Sequence, residues 1–389
     1  MLMLSWEYPP QMVGGLGQHV YELSRHLVEN GVVPHVLTPA INNAPAYEED
    51  QGVHVHRIGK EYDIESSFKG WIMSFNSQMV REGTKICREI KDLQAIHAHD
   101  WLVAYGARSL GKMFDLPIIA TIHATEWGRN NGLHNRTQVE INDIERNLTL
   151  AASRVICCSS YMREEINNLF AIKHEQIAII PNGVSLDSQS SIPGLNDRGN
   201  NIFFIGRLVP EKGVHVLINA MPIVLQQFPD ARLLIGGRGP CYDELATQAE
   251  ELGIKPAVSM LGYIDDKHKE RLYREAAVAV FPSLYEPFGI VALEAMAAGT
   301  PVVVSDVGGL GEIISNQVNG IKVPVDDPEA LASAIIKVLT NRQQSQQMVE
   351  YAQQELKTVY NWKNIASLTH REYLELLAMK PIFNKVVTA

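Results

Sequence analysis

Two cations stand five positions apart in "FIGRLVPEKG" (204–213), and two acids stand eight apart in "EPFGIVALE" (286–294). The cations are Arg207 and Lys212. A guanidinium and an ammonium on one loop can converge on a diphosphate, since both present N–H donors with a positive charge. The acids are Glu286 and Glu294, and a carboxylate accepts well from the vicinal hydroxyls of a ribose or a hexose. Between them, Pro287 suits a first helical turn, and the amides of Phe288, Gly289 and Ile290 are donors that no turn of helix satisfies. Gly289 lets a ligand approach those amides closely. A helix through Leu293 and Met296 carries Glu294 about two turns onward, so the stretch reads as an anion site with a hydroxyl-binding acid on either side. Taken singly, solvated surface cations and two unrelated surface acids are the ordinary explanation. The strand–loop–helix setting of the cations and the apolar run between the acids weigh against it.

Three further stretches hold candidate chemistry. "PQMVGGLGQHV" (10–20) is a Gly-rich turn in which Gly14 and Gly15 can bring amides to a phosphate at a helix N-terminus. It is neither G-x-G-x-x-G, because Val20 holds the last glycine position, nor a Walker loop, and a plain tight turn explains it equally well. "HAHDW" (97–101) and "ATIHATEWG" (120–128) end predicted strands and place His99, Asp100, His123 and Glu126 on a facing wall. Histidines at 19, 26, 35, 54, 56 and 134 fall without pattern. With no H-x-x-x-H pair, Cys/His cluster or D-x-D acids, no metal is expected; with no G-x-S-x-G, no serine nucleophile is expected either.

These residues need strand ends to hold them. "MLMLSW", "VVPHVLTP", "QAIHAHDW", "LPIIATIHA", "SRVICCSS" and "QIAIIPNG" are β-rich runs closed by polar, Gly or Pro residues. An amphipathic stretch such as "LGQHVYELSRHLVENG" separates the first two, with Leu16, Val20, Leu23 and Leu27 on one face. The alternation restarts in "NIFFIGRL", "ARLLIGGRG", "AVSMLGY", "AVAVFPS", "TPVVVSD" and "GIKVPV". Such alternation predicts parallel sheets flanked by helices. The chain thus reads as two doubly wound, Rossmann-like α/β domains, 1–190 and 198–360. Residues 185–200 serve as the linker, and a closing helix at about 361–389 crosses back onto the first domain. In such sheets ligands bind beyond the carboxyl ends of the strands, so the motifs should line a cleft shared by the two domains.

Composition narrows the function classes. At 389 residues the chain exceeds one ordinary core, which favours two domains. A net charge of −10 without a dense basic run argues against a nucleic-acid partner, whose phosphates need clustered cations. No apolar run reaches the roughly 18 residues of a membrane span, so no transmembrane segment is expected. Four cysteines without C-x-x-C spacing, two of them adjacent in "RVICCS", fit buried thiols in a cytoplasmic protein.

Together the motifs "WEYPPQMVGGLGQHV", "HAHDW", "TIHATEWG", "IPNGV", "GRLVPEKG", "EPFGIVALEAMAAGTPVV" and "SDVGGLGEII" resemble the retaining glycosyltransferases of the GT-B fold, family 4, near the glycogen and starch synthases. The resemblance runs from residue 5 to about 314. It implies a UDP-, ADP- or GDP-sugar donor on the C-terminal domain, a carbohydrate acceptor on the N-terminal one, and no cofactor or metal. It further implies donor binding by Gly14, Gly15, Arg207, Lys212, Phe288, Gly289, Ile290, Val291 and Glu294. Arg207 and Lys212 would hold the diphosphate, Glu294 the ribose and Glu286 the transferred sugar. His123 would lie near that sugar, with His99, Asp100 and Glu126 on the acceptor side. Catalytic roles would fall to Glu286, His123, Asp100, Arg207 and Lys212. The implied reaction is hexosyl transfer, glucosyl first, onto an α-glucan or small sugar. Transfer of mannose, galactose or GlcNAc to a small or lipid-linked acceptor is the alternative, and nucleotide-sugar epimerisation a third reading. One departure concerns the acceptor: Gln18-His19 follows "VGGLG" where the glucan synthases commonly carry an acid.

Overall fold

A computed structural model describes residues 1–12, 14–41, 43–59, 68–186 and 194–386, with side chains described through residue 378. The chain divides into two compact units, Met1–Asn182 with Trp362–Ala389, and Gly183–Asn361. Each is built on one sheet.

In the first unit the strands are β1 (Leu2–Leu4), β2 (His35–Pro39), β3 (Tyr47–Asp50), β4 (Val53–Ile58), β5 (Ile96–His99), β6 (Ile118–Ile122), β7 (Arg154–Cys157) and β8 (Ile177–Ile179). They lie in the order β3-β4-β2-β1-β5-β6-β7-β8. Every pairing is parallel except β3 with β4. That hairpin was not expected from the sequence. Its first strand, "YEED", carries three acids, which weakens the apolar signal. The alternation of buried Val53 and Val55 and the turn at Gln51-Gly52, both at positive φ, were the legible marks.

In the second unit β9 (Asn201–Ile205), β10 (Arg232–Gly236), β11 (Val258–Gly262), β12 (Val278–Phe281), β13 (Val302–Ser305) and β14 (Ile321–Val323) run in the order β11-β10-β9-β12-β13-β14, all parallel. Central strands covered on both faces should be apolar throughout, and β12 and β13 are buried at all four positions each. The order reverses between β9 and β12, which is where an open α/β sheet leaves a crevice for ligand. In the first unit the reversal falls between β1 and β5.

The closing helix, Trp362–Val386, belongs to the first unit. Trp362, Ile365, Ala366, Tyr373 and Leu376 join the core formed by Met3, Val20, Leu23 and Leu27. The Tyr373 hydroxyl pairs with His97 Nδ1 at 2.7 Å, and Arg154 meets Glu372 at 2.9 Å. The two units divide between Asn182 and Gly183, ahead of the expected linker at 185–200. Residues 187–193 lie outside the described residues, whereas Arg198 is buried in the second unit and donates to the carbonyls of Ala276 and Gly299. Lack of hydropathy periodicity concealed that anchor, because an arginine serving carbonyls leaves no pattern.

Candidate active site

The loops after β9 and β12 meet at the crevice of the second sheet. The first carries Arg207 and a short turn, Pro210–Lys212; the second carries Ser283 to Gly289. Lys212 Nζ donates to Glu286 Oε2 at 2.7 Å, and Ser283 Oγ donates to the same oxygen at 3.1 Å. Both side chains are largely buried, 20% exposed for Lys212 and 9% for Glu286, so the pair is sheltered from the screening that makes surface pairs nearly worthless. Gly213 must be glycine: at φ 63° its missing Cβ would collide with the Pro282 carbonyl of the neighbouring loop. Arg207 differs from Lys212. It is 54% exposed and, among the described residues, pairs with Glu211 alone, at 3.3 Å.

The helix that follows runs Ile290–Ala297, three residues later than Pro287 implied, because Gly289 takes φ 107° and serves as the N-cap. No side chain caps it. The Ala292 amide donates back to the Gly289 carbonyl at 2.9 Å, which leaves the amides of Ile290 and Val291 as the donors at this end, with the positive end of the helix dipole behind them. Gly309 braces this turn. Its N–H donates to the Glu286 carbonyl at 2.9 Å, and a Cβ there would strike the backbone of Pro287 and Phe288. Glu294 sits further along the helix and receives Lys269 Nζ at 2.8 Å. Burial alone would lower the Lys269 pKa, yet Glu294 and Asp266 together raise it. Tyr273 donates to the Val291 carbonyl at 3.1 Å and lies 3.4 Å from Glu294. Lys269, Tyr273 and Ser283 were missed in the sequence, because none falls in a Gly-rich or acid-bearing motif.

The first unit brings its candidates to the ends of β1, β5 and β6. The Gly-rich turn behaves differently from expectation. Glu7 Oε2 accepts from the amides of Gly14 and Gly17, at 3.1 and 3.3 Å, so an internal carboxylate already holds the Gly14 donor that a phosphate would need. Gly15 begins the helix Gly15–Glu29. Asp100, at φ 64°, accepts from the His123 amide at 3.2 Å, and Arg129 approaches it to 3.6 Å. Burial raises the Asp100 pKa to about 6 against the pull of Arg129 and that amide. The Glu126 amide donates to both oxygens of buried Glu145, at 3.0 and 3.1 Å, and burial lifts the Glu145 pKa to about 8.

His99 and His123 come together with a residue that had no sequence pattern, His19. The ring centres are 4.8 Å apart for His19 and His123, 5.5 Å for His19 and His99, and 5.7 Å for His99 and His123. Three distant segments supply them, so no spacing rule could have found the group. Burial depresses all three and neighbouring His97, with His19 and His123 both lowered to about 3. These rings are neutral in the folded chain at pH 7. On unfolding, each regains an ordinary pKa near 6.5 and takes up a proton below it. Asp100 and Glu145 act oppositely, since the folded chain binds their protons more tightly. Four histidines against two carboxyls leave a net uptake of about two protons on unfolding between pH 6 and 4.5. Stability is thus expected to fall as pH drops through that window, with His35 and His56 adding in the same direction. Urea midpoints at pH 6 and 4.5 check this; an unchanged midpoint would show that the rings are charged in the fold.

Residues 13–188 match the family described as Glycosyltransferase Family 4, and residues 187–355 match Glycosyl transferases group 1. An uncharacterized glycosyltransferase of Methanocaldococcus jannaschii is 36% identical over 95% of this chain and 97% of its own. The glycogen synthase of Mycobacterium tuberculosis is 35% identical over 96% of this chain and 94% of its own. Among solved structures, Anabaena HepE in complex with UDP-glucose superposes with a TM-score of 0.76 at 21% identity, covering 97% of this chain and 98% of that one. Fold and sequence together define a glycosyltransferase of GT-B architecture. Within that class the chain belongs to family 4, close to the glycogen and starch synthases. No helix among the described residues is long and apolar enough to cross a membrane.

Proposed function

We propose that the chain is a retaining hexosyltransferase that moves glucose from a nucleotide-diphospho-sugar to an α-glucan or a small sugar. The observation that carries this is the arrangement around the helix Ile290–Ala297: an uncapped N-terminus between two carboxylates, each tied to its own lysine. In this reading Lys212, Arg207 and the amides of Phe288, Gly289, Ile290 and Val291 bind the diphosphate. Glu294 takes the ribose diol and Glu286 the sugar hydroxyls. Breaking the bond from sugar C1 to phosphate oxygen builds negative charge on the diphosphate, and donors already fixed in place stabilise it. The acceptor hydroxyl attacks C1 from the same face. Its proton passes to the departing diphosphate oxygen, so no covalent enzyme intermediate is needed.

On the first unit, His123, His99, Asp100 and Glu126 serve the acceptor and the transferred sugar. A neutral His123 can accept or donate one hydrogen bond to a sugar hydroxyl without bringing a positive charge to it. Glucose is favoured over other hexoses by the likeness to a glycogen synthase along nearly the whole chain. HepE's complex with UDP-glucose makes UDP the first nucleotide to try.

The test is a product screen. UDP-, ADP- and GDP-glucose are supplied with maltooligosaccharides or monosaccharides, with and without EDTA. An α-linked product whose rate EDTA leaves unchanged is expected, because in this reading Lys212, Arg207 and the helix amides supply the charge stabilisation that a metal would otherwise give. Loss of transfer in EDTA with rescue by Mn²⁺ would contradict the metal-free diphosphate site. Epimerised donor without any glycosylated acceptor would contradict transfer itself.

A further inference from the structure

We infer that His19, His99 and His123 form a binding site for a divalent first-row transition-metal ion of the zinc or cobalt type. One ring nitrogen from each lies within 4.8 Å of the other two. Imidazoles sharing one tetrahedral ion at about 2.05 Å place their nitrogens about 3.3 Å apart and their ring centres about 5 Å apart. His99 Nδ1 and His123 Nε2 already stand at 3.4 Å, and the three centre-to-centre distances run from 4.8 to 5.7 Å. With the widest separation at up to 4.8 Å, a movement of about 1.5 Å by His19 completes the three-nitrogen face.

The surroundings suit a ligand set. His19 is 4% exposed and directs Nδ1 to Asn182 Oδ1 at 2.7 Å. That bond places the proton on Nδ1 and leaves Nε2 with its lone pair bare, as the outer partner of a metal-bound histidine does. His19 Nε2 has no hydrogen-bond partner, which is costly for a buried polar atom. An ion within reach removes that cost. His97 stands apart from the set, with Nδ1 on Tyr373 and Nε2 on Thr121, both at 2.7 Å. His123 is partly exposed, so an ion has an entry route and a fourth position for water. Three imidazoles without a carboxylate select zinc, cobalt, nickel or copper over magnesium or calcium. The set draws on none of the diphosphate-binding residues of the second unit, but it shares His99 and His123 with the sugar-binding residues proposed above, so an ion held there competes with sugar for those imidazoles.

Cobalt(II) is the probe. The full chain, free of any histidine tag and stripped with EDTA, is titrated with CoCl₂ while visible absorbance is followed. A tetrahedral cobalt spectrum saturating at one ion per chain and displaced by zinc is expected. His19→Asn should weaken binding at least 100-fold, and Asn182→Ala about tenfold through the loosened ring. His54→Asn, in the separate cluster of His35, His54 and His56, should leave the titration unchanged. Absence of the spectrum at several equivalents of cobalt would overturn the site, as would its loss in His54→Asn or its survival in folded His19→Asn. Should His19→Asn fail to fold, anomalous scattering from a zinc-soaked crystal decides: a peak among the three rings supports the site, and none there overturns it.

Discussion

Replacing Lys212 with alanine lowers turnover by about 10²–10³-fold while the fold survives, if its ammonium stabilises charge on a departing diphosphate. The size follows from comparison with Arg207. Lys212 is four-fifths buried and bonded to Glu286, so its charge is fixed before donor arrives. Arg207 is half exposed and must be ordered by the ligand, which spends part of the interaction on side-chain entropy. Arg207→Ala is therefore expected to cost about tenfold, well short of Lys212→Ala. Neither side chain fills a core, and circular dichroism of both variants should match the parent. Steady-state kinetics with saturating donor distinguish the two. Equal, small losses would mean that the diphosphate is held elsewhere.

Gly309→Ala should have the next largest effect, and for a steric reason. The backbone of Gly309 lies against Pro287 and Phe288, and the added methyl meets backbone atoms that no rotamer change can clear. The loop carrying Glu286 and the first helical amides has to move. A displacement near 1 Å in a binding constellation costs about 100-fold in rate, and overpacking costs about 1–3 kcal/mol of stability. Both kcat/KM and the melting temperature are expected to fall. Gly199→Ala is the control, because nothing lies within 4 Å of its added carbon. A Gly309→Ala enzyme with parental kcat/KM would show that the loop is free to shift, and that its preset geometry contributes nothing.

Sequence reading reached the second unit more fully than the first. Its central strands β12 and β13 are apolar runs closed by Pro282 and Ser305, and parallel strands buried on both faces leave that signature. The hairpin of β3 and β4 escaped because six of its ten side chains are charged or imidazole. In the candidate site, Glu286, Glu294 and Lys212 were legible because each lies in a loop or helix directly after a strand. What completes the site was not. Lys269 reaches Glu294 from a helix 25 residues earlier, and an exposed-looking "DKHKERLYRE" gives no hint of which cation turns inward. Glu7 was hidden for another reason. It lies seven residues before Gly14, and only the folded turn shows its carboxylate on the amides read as a phosphate cradle. The histidine group was least legible of all, since the closeness of His19, His99 and His123 comes entirely from sheet order.

The most direct measurement is a crystal structure of the chain with an unhydrolysed nucleotide-diphospho-glucose. The diphosphate is expected within hydrogen-bonding distance of Lys212 Nζ and the Gly289 and Ile290 amides, with the ribose diol on Glu294 and the glucose hydroxyls on Glu286. A diphosphate that touches neither Lys212 nor the helix Ile290–Ala297 would contradict the assignment.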